Sequence, residues 1–240
     1  MEIDLGALAP RDAHDTLIGA LIPRPIAWVS SIGSQGQVNL APFSFFCGVT
    51  WSPPTLGFSV VNRSDGSRKD TIVNIEETGQ FVVNMVSHDL AGRMVKTAAS
   101  LPRGVSEADE AGVALAPSRK VSAPRVKDAR VAFECALDRV VTVGQGAHAG
   151  NLVLGKILLV HVRDGIVDEG KGIDPLRFDA NQLTGVFIAA VAPRLRPVAG
   201  LAAAAVPAPL VAGDHREHAG PRVGEAPRHR RAPAGAGLGL

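Results

Sequence analysis

The chain has 240 residues, 46% of them hydrophobic, which is enough to bury a substantial core in one large domain or in one domain with a tail. It carries 25 Lys and Arg against 23 Asp and Glu, but from residue 190 onward seven Arg face only three acids, so the preceding part is slightly acidic. A main domain that binds nucleic acid is therefore not expected, because such a domain needs a basic face.

Neither a targeting signal nor a membrane span is expected. The opening MEIDLGALAPRD lacks the positive leader and apolar segment of a secretion signal. The most apolar late stretch begins at Val198 and is interrupted by Pro207 and Pro209, which would break a membrane helix. Cys47 and Cys135 lie in strand-like apolar runs, where Cys usually behaves as a small hydrophobic residue. We therefore expect a cytoplasmic protein without membrane contact.

The first predicted elements are a short helix and a β-hairpin. A start signal at Asp15 and Thr16 predicts a helix that stops at Gly19. IAWVSSI from residue 26 is rich in β-branched and aromatic residues, and VNLAP follows the turn GSQG, so these two strands should pair. After a loop at Pro53 and Pro54, TLGFSVV gives a third strand.

Helices and long strands follow. Asp70 is predicted to cap a helix that ends at Gly79, and Asp89 to cap the helix LAGRMVKTAA, with the strand FVVNMVS between them. At most one helical turn begins at Ser106. Apolar alternation predicts two long antiparallel strands, RVAFECALDRVVTV from Arg130 and then NLVLGKILLVHV. Six or seven strands against two or three helices, without βαβ alternation, indicate a mainly β fold: an antiparallel barrel with peripheral helices.

The domain is expected to span residues 1–188, followed by a tail of residues 189–240. Of the last 51 residues, 35 are Ala, Pro, Gly or Arg, and such a segment lacks the bulky side chains that offset the entropy of ordering it. We predict disorder there. Because these four residue types have codons that begin with two G or C bases, we also hypothesise that the tail comes from a gene read in a shifted frame.

One stretch, from residue 22 to residue 71, has the features of a site for a flat, phosphorylated cofactor such as FMN. Lys69 and Thr71 flank a predicted helix start, where free backbone N–H groups and a partial positive charge favour a phosphate. Taken by itself, KDT is more often simply a capped helix on the surface. The first strand ends with further hydroxyls. The polar groups available to such a cofactor are the side chains of Ser30, Ser31, Asn39 and Ser44 and the backbone from Ala41 through Pro42 to Phe45.

Other chemical motifs are weak. His161 lies in an apolar strand and is more typical of a satisfied core or interface histidine than of a ligand. His215 and His218 have a spacing seen in metal sites, but they fall in the tail without Cys partners, so no metal site is predicted. Neither a G-x-G-x-x-G fingerprint nor a G-x-S-x-G nucleophile turn occurs, which disfavours a Rossmann dehydrogenase and an α/β-hydrolase.

Five segments occur in the order PRPIAWVSS, NLAPFSFF, PPTLGFSV, KDTIVNIEETGQFVVNMVS and LPRGVSEADEAG. Their order and spacing resemble the flavin reductase-like, FMN-binding split-barrel family, which includes flavoredoxins. The resemblance implies a Greek-key-like, antiparallel split β-barrel that forms a homodimer with FMN near the subunit interface.

The resemblance also implies a set of FMN contacts. Position by position, they are Ser30, Ser31, Asn39, Ala41, Pro42, Ser44, Phe45, Lys69, Asp70 and Thr71. The segment that holds Arg103 and Glu107 looks like the family's loop near the open side of the flavin, and we assign neither residue a catalytic role. In such proteins the cofactor carries the chemistry, with NADH or NADPH as electron donor and free flavin, an oxygenase or another protein as acceptor.

Two alternatives stay open. One is an FMN electron carrier of the flavoredoxin type that reacts poorly with nicotinamides. The other is a dimeric module that has lost its cofactor, because related chains usually finish with an Arg-Leu-Gly-Gly type segment and a Tyr, whereas this chain has DPLRFDANQLTGVF and no Tyr.

Overall fold

Seven antiparallel strands form the main sheet. The computed structural model describes residues 2–168 and 172–178, so the predicted boundary near residue 188, the tail 189–240 and its histidines lie outside the described part. The strands of this sheet are β1 (Ala27–Ile32), β2 (Val38–Phe43), β3 (Phe46–Trp51), β4 (Pro54–Val61), β5 (Gln80–Met85), β8 (Val131–Val143) and β9 (Gly150–Val162). Two short ladders are β6 (Leu115–Ala116) with β7 (Arg125–Val126), and β10 (Val167–Asp168) with β11 (Gly172–Ile173). The helices are α1 (Pro10–Ala20), α2 (Asp70–Thr78), α3 (His88–Lys96), α4 (Glu107–Glu110) and α5 (Pro175–Phe178).

The sheet has the strand order β2-β1-β5-β8-β9-β4-β3, which confirms the predicted antiparallel, mainly β architecture. β2 and β3 are consecutive in the chain yet lie at opposite edges of the sheet. Phe43 at the end of β2 nevertheless lies 5.4 Å, centroid to centroid, from Phe58 of β4. The sheet therefore curls until its edges approach without closing, which is a split barrel.

Apolar side chains fill both sides of β1. Inside the barrel, Val29 packs with Phe43, Phe58 and Phe81. On the other side, Trp28 packs against α3, α4 and the segment that follows them, in a second cluster that includes Leu40, Leu90, Met94, Ala108 and Val126. Helix α2 covers one part of the barrel through Ile72 and Ile75, both fully buried. β1 and β2 therefore contribute side chains to both layers.

Several predicted boundaries differ from the structure. Helix α1 begins at Pro10, five residues before the start signal predicted at Asp15, because Pro is well suited to the first helical position. Lys69, not Asp70, is the cap residue of α2, and Asp70 is the first helical residue. Ser87, not Asp89, is the N-cap residue of α3; it makes no side-chain cap, and its hydroxyl donates to the carboxylate of Asp89 in the first turn. The predicted end of α2 at Gly79 is confirmed, with φ of 68°.

The segment after β2 forms an additional strand that the sequence did not resolve. In β3, the residues from Cys47 to Trp51 are exposed, and Trp51 is 91% accessible.

Both cysteines are free: Cys47 is exposed and Cys135 is buried, and burial raises the pKa of the Cys135 thiol. No helix in the described part of the chain is long and apolar enough to cross a membrane.

Candidate functional site

The predicted ring-binding segment runs along the open seam of the barrel. Ala41 and Pro42 lie on the edge strand β2, and Ser44 and Phe45 form the turn into β3; all four are half-buried. On the free edge of β2, the N–H of Leu40 donates to the carboxylate of Glu107, and Pro42, two residues further along the same edge, has no N–H. This edge is therefore not a template for another strand, yet its backbone stays close to the open side of the barrel.

The predicted phosphate-binding segment forms the N-terminus of α2. Lys69 is the cap residue, with extended backbone dihedrals, and it makes no side-chain cap. The first N–H groups of α2 thus receive no acceptor from the cap side chain, and the helix dipole adds positive potential at the same end. Thr71, in the first turn, is buried.

Three cations surround this helix end. Arg63 lies 3.1 Å from one carboxylate oxygen of Asp70, and Arg103 lies 3.4 Å from the other. The pKa of Lys69 is lowered because its burial disfavours the charged form and because the positive charge of Arg63 is near. No described carboxylate forms an ion pair with Lys69, whose Nζ lies 5.7 Å from the centroid of the Phe43 ring. Arg103 also lies 3.6 Å from Glu77, so Lys69 is the one of these three cations that has no ion-pair partner among the described residues.

The structure brings the two predicted segments together. The side-chain amide of Asn39 lies 2.8 Å from Oγ1 of Thr71. Ser31 faces Asn39 across the β1–β2 pair and accepts a 3.4 Å hydrogen bond from Asn74 of α2. Four buried polar side chains thus join β1, β2 and the first turns of α2. The contact of Lys69 with the Phe43 ring is a second connection between β2 and the start of α2, which are about 30 residues apart in the chain.

Ser30 is not part of this group. Its hydroxyl donates to the carbonyl of Pro124 and accepts from Nδ2 of Asn84, and it is fully buried on the Trp28 side of β1. Successive residues of a strand point to opposite faces, so Ser30 and Ser31 separate, and the structure gives Ser30 the task of anchoring the loop at residue 124. His161 contacts the carboxylate of Glu134, as expected for a satisfied histidine.

Glu107 and Arg63 also lie at the junction of β2 and α2, and the sequence pattern predicts a role at the site for neither of them. Glu107 is nearly buried and bonds β2 through its contacts with Leu40 and Asn39. Burial in the first place, and the negative charge of Asp70, raise the pKa of the Glu107 carboxyl, against the opposing effects of the Leu40 N–H and of Arg63. Arg63 lies in the loop before α2, and its only sequence signal is a cation a few residues ahead of a helix start.

These observations fit a phosphorylated planar ligand. A phosphate needs positive charge and N–H donors, which the uncapped end of α2, Lys69 and Arg63 offer together. A flat ring needs polar groups beside an apolar surface, which the half-buried edge from Ala41 to Phe45 offers next to Phe43.

Comparison with known proteins agrees with this geometry. Residues 19–186 match the family described as "Flavin reductase like domain". A protein of unassigned function from Aquifex aeolicus is 42% identical over 161 residues, covering 67% of this chain and 80% of its own length.

Solved structures are similar as well. Nitrilotriacetate monooxygenase component B from Bacillus cereus is 33% identical, with a TM-score of 0.70, covering 74% of this chain and 88% of that one. The 2-nitrobenzoate 2-nitroreductase of Pseudomonas fluorescens is 34% identical, with a TM-score of 0.65 and coverages of 72% and 83%. At the level of fold alone, a protein with a split barrel domain from Shewanella frigidimarina has a TM-score of 0.64 at 24% identity, covering 75% and 88%.

The fold and the match together define the class: a split-barrel protein of the flavin-binding oxidoreductases. This chain belongs to the flavin reductase-like family.

Proposed function

We propose that the protein is an FMN-dependent oxidoreductase of the flavin reductase type, which moves electrons from NADH or NADPH through FMN to free flavin or to a partner oxygenase. The observation that carries the proposal is the junction of the β2 edge with the uncapped, positively charged end of α2. Family membership supports flavin binding in general. The uncapped N-terminus of α2, with Lys69 and Arg63, suits a phosphate group such as the one that FMN carries.

Lys69, Arg63 and the first N–H groups of α2 would hold the phosphate. Lys69 is the strongest candidate among the side chains, because its ammonium is partly buried and no described acid pairs with it. Asp70 is negatively charged and would repel a phosphate, so its contribution is indirect: it holds the guanidinium groups of Arg63 and Arg103 at the helix end.

The edge from Ala41 through Pro42 and Ser44 to Phe45 would lie against the ring. Its backbone faces the seam, although the carbonyl of Phe45 already accepts a 2.9 Å bond from the N–H of Ser59. Bound there, FMN supplies the chemistry, by accepting a hydride from a nicotinamide and passing electrons onward. The chain's own task is to bind and orient, and we assign no catalytic acid or base.

A homodimer is part of the proposal. Val49, Leu152 and Leu154 converge above Gly57, where an added Cβ would touch all three. We name these three residues and Val141, which is paired with Leu152, the outer apolar face. This face lies on the side of the sheet away from the barrel core, and Val49, Val141 and Leu152 are exposed. An apolar sheet face of this kind is typical of a contact between two copies of a chain.

The visible spectrum of the purified protein before and after anaerobic NADH tests the proposal. A yellow preparation that NADH or NADPH bleaches supports the flavin reductase. A yellow preparation that dithionite bleaches but nicotinamides do not would favour the electron carrier. A colourless protein that takes up no added FMN would contradict both.

The similarity to a monooxygenase component favours an oxygenase as one electron acceptor. The proposed electron donors, NADH and NADPH, are available in the cytoplasm, and we place the protein there for that reason. Stimulation of NADH oxidation by added free FMN or FAD would distinguish delivery of free flavin from transfer to a bound partner.

A further inference from the structure

Glu107 lies at one end of a buried chain of hydrogen bonds that ends at Thr71. Its Oε2 accepts from the N–H of Leu40 at 3.1 Å. In the orientation that satisfies both neighbours, the amide of Asn39 donates from Nδ2 to Oε1 of Glu107 at 3.2 Å and accepts at Oδ1 from the hydroxyl of Thr71 at 2.8 Å. All three side chains are nearly or fully buried, so water does not readily replace these partners.

Helix α4 cannot easily move Glu107 away from this chain. Ser106 caps the helix by accepting from the N–H of Asp109. Ala108 and Ala111 are buried in the cluster that also contains Trp28 and Leu40. The carboxylate is thus fixed against β2 by the packing of its neighbours.

The direction of the chain depends on the charge of Glu107. A carboxylate only accepts, so an ionised Glu107 requires Asn39 to present its NH₂ group, and the Asn39 carbonyl then takes the hydroxyl proton of Thr71. A protonated Glu107 still accepts from Leu40 at one oxygen and donates from the other. Asn39 must then present its carbonyl to Glu107 and its NH₂ to Thr71, which frees the Thr71 proton.

We propose that Glu107 is a positioning residue that sets, through Asn39, whether the hydroxyl of Thr71 is free to donate to a bound phosphate. The proposal rests on the proposed function for its ligand but not for the relay itself. It adds to that function a dependence of FMN affinity on pH that originates outside the cofactor.

The charged groups that face Glu107 come from the elements packed against it. Asp70 of α2 favours the protonated form, Arg63 of the preceding loop favours the ionised form, and β2 contributes no charged side chain. Burial also favours the protonated form, so the carboxyl is expected to titrate closer to neutrality than an exposed glutamate.

The variant Glu107→Gln imitates the protonated state at every pH. Its carbonyl must accept from Leu40, so its NH₂ faces Asn39 and reverses the amide. We expect this variant to bind FMN about tenfold more tightly than the wild type at neutral pH, as for one added hydrogen bond to a charged group. Riboflavin, which lacks the phosphate, should bind equally to both proteins.

Removal of the negative charge could by itself favour FMN, and Thr71→Val separates this effect from the relay. The relay predicts that Glu107→Gln gives no gain in the Thr71→Val background. An undiminished gain in that background would overturn the proposal, because it would reflect charge alone.

A measurement without ligand tests the relay directly. The side-chain amide signals of Asn39, identified by their absence from Asn39→Ala, should shift with pH in the wild type, at a higher pH than that at which an exposed glutamate titrates, and stay constant in Glu107→Gln. Signals that do not titrate in the wild type would overturn the inference, even if FMN binds. If FMN binds to neither protein, the proposed function fails, and the amide titration still decides the relay.

Discussion

The ammonium group of Lys69 lies 5.7 Å from the centroid of the Phe43 ring, so the cap residue of α2 rests on the last residue of β2. The contact places a cation where the open seam of the barrel meets a helix N-terminus. An aromatic face stabilises a cation only modestly, which leaves most of the ammonium's hydrogen-bonding capacity for an anion.

Lys69→Ala is expected to weaken FMN binding by about 1.5–3 kcal/mol, the cost of losing one hydrogen bond to a charged group. Fluorescence titration with FMN measures the change, and riboflavin affinity should stay nearly constant. Lys156→Ala is the matched control, because Lys156 of β9 pairs with Asp138 of β8 and not with a group at the N-terminus of α2. Equal FMN affinity in Lys69→Ala and the wild type would remove Lys69 from the site.

Leu152→Glu should convert the proposed homodimer to monomers, because it would bury a charge in the outer apolar face. Sedimentation velocity at micromolar concentration measures the change, and FMN occupancy is expected to fall with it. Lys127→Glu changes the charge at an exposed residue elsewhere and should leave the mass unchanged. A wild-type protein that sediments as a monomer would contradict the predicted homodimer at once.

Two glycine-to-alanine variants should change stability in opposite directions. A Cβ on Gly155 would lie 2.3 Å from Cζ of the buried Phe81, so Gly155→Ala is expected to destabilise the fold by about 1–3 kcal/mol. Gly92 lies inside α3 with open space around it, so Gly92→Ala should stabilise by about 0.5–1 kcal/mol. Urea unfolding of both variants checks the pair, and a stable Gly155→Ala would refute the close contact.

The buried carboxylate of Glu134 should make stability depend on acid pH. Burial alone would raise its pKa, but the hydrogen bond from His161 and the N–H groups of Arg119 and Lys120 outweigh burial and lower it. Because the folded-state pKa lies below the unfolded value of roughly 4.5, this group contributes stability above that value. The contribution is lost as the pH falls through the folded-state pKa.

Glu134→Gln should therefore destabilise the protein at neutral pH by about 1–3 kcal/mol, since it leaves buried N–H groups poorly paired. It should also flatten the decrease in melting temperature toward low pH. Glu110→Gln, at an exposed position of α4, is the comparison. If both variants follow the wild-type curve, Glu134 does not anchor the loop that contains Arg119.

Much of the sheet could be predicted from the sequence because its strands carry clear local signals. The hairpin around GSQG, the two long strands and the stop at Gly79 depend on turn chemistry and alternation. β3 lacked such a signal, because its residues from Cys47 to Trp51 are exposed and do not alternate in burial. Its pairing with β4 was therefore not predicted, although β4 itself was.

The site was predictable in its segments and less so in its side-chain directions. Ser30 and Ser31 must face opposite sides, but both faces of β1 are buried, so hydrophobicity does not identify the side that meets α2. The contact of Glu107 with β2 links residues 67 positions apart and has no local pattern. The cap residue of α2 likewise could not be identified from residue type alone, because it depends on backbone dihedrals. Asp70 is the first helical residue instead of the cap, and its carboxylate pairs with the guanidinium groups of Arg63 and Arg103.

The strand order also governs how the chain can fold. The hairpin of β3 and β4 joins the rest of the sheet through β9. Residues 55–61 of β4 therefore cannot pair with the sheet until residues 150–156 of β9 are present. Such distant pairing slows folding, because a long loop must close before its contacts form. During synthesis, the apolar residues of β4 therefore have no partner strand until β9 has left the ribosome. We expect the nascent chain to be especially prone to aggregation during this interval.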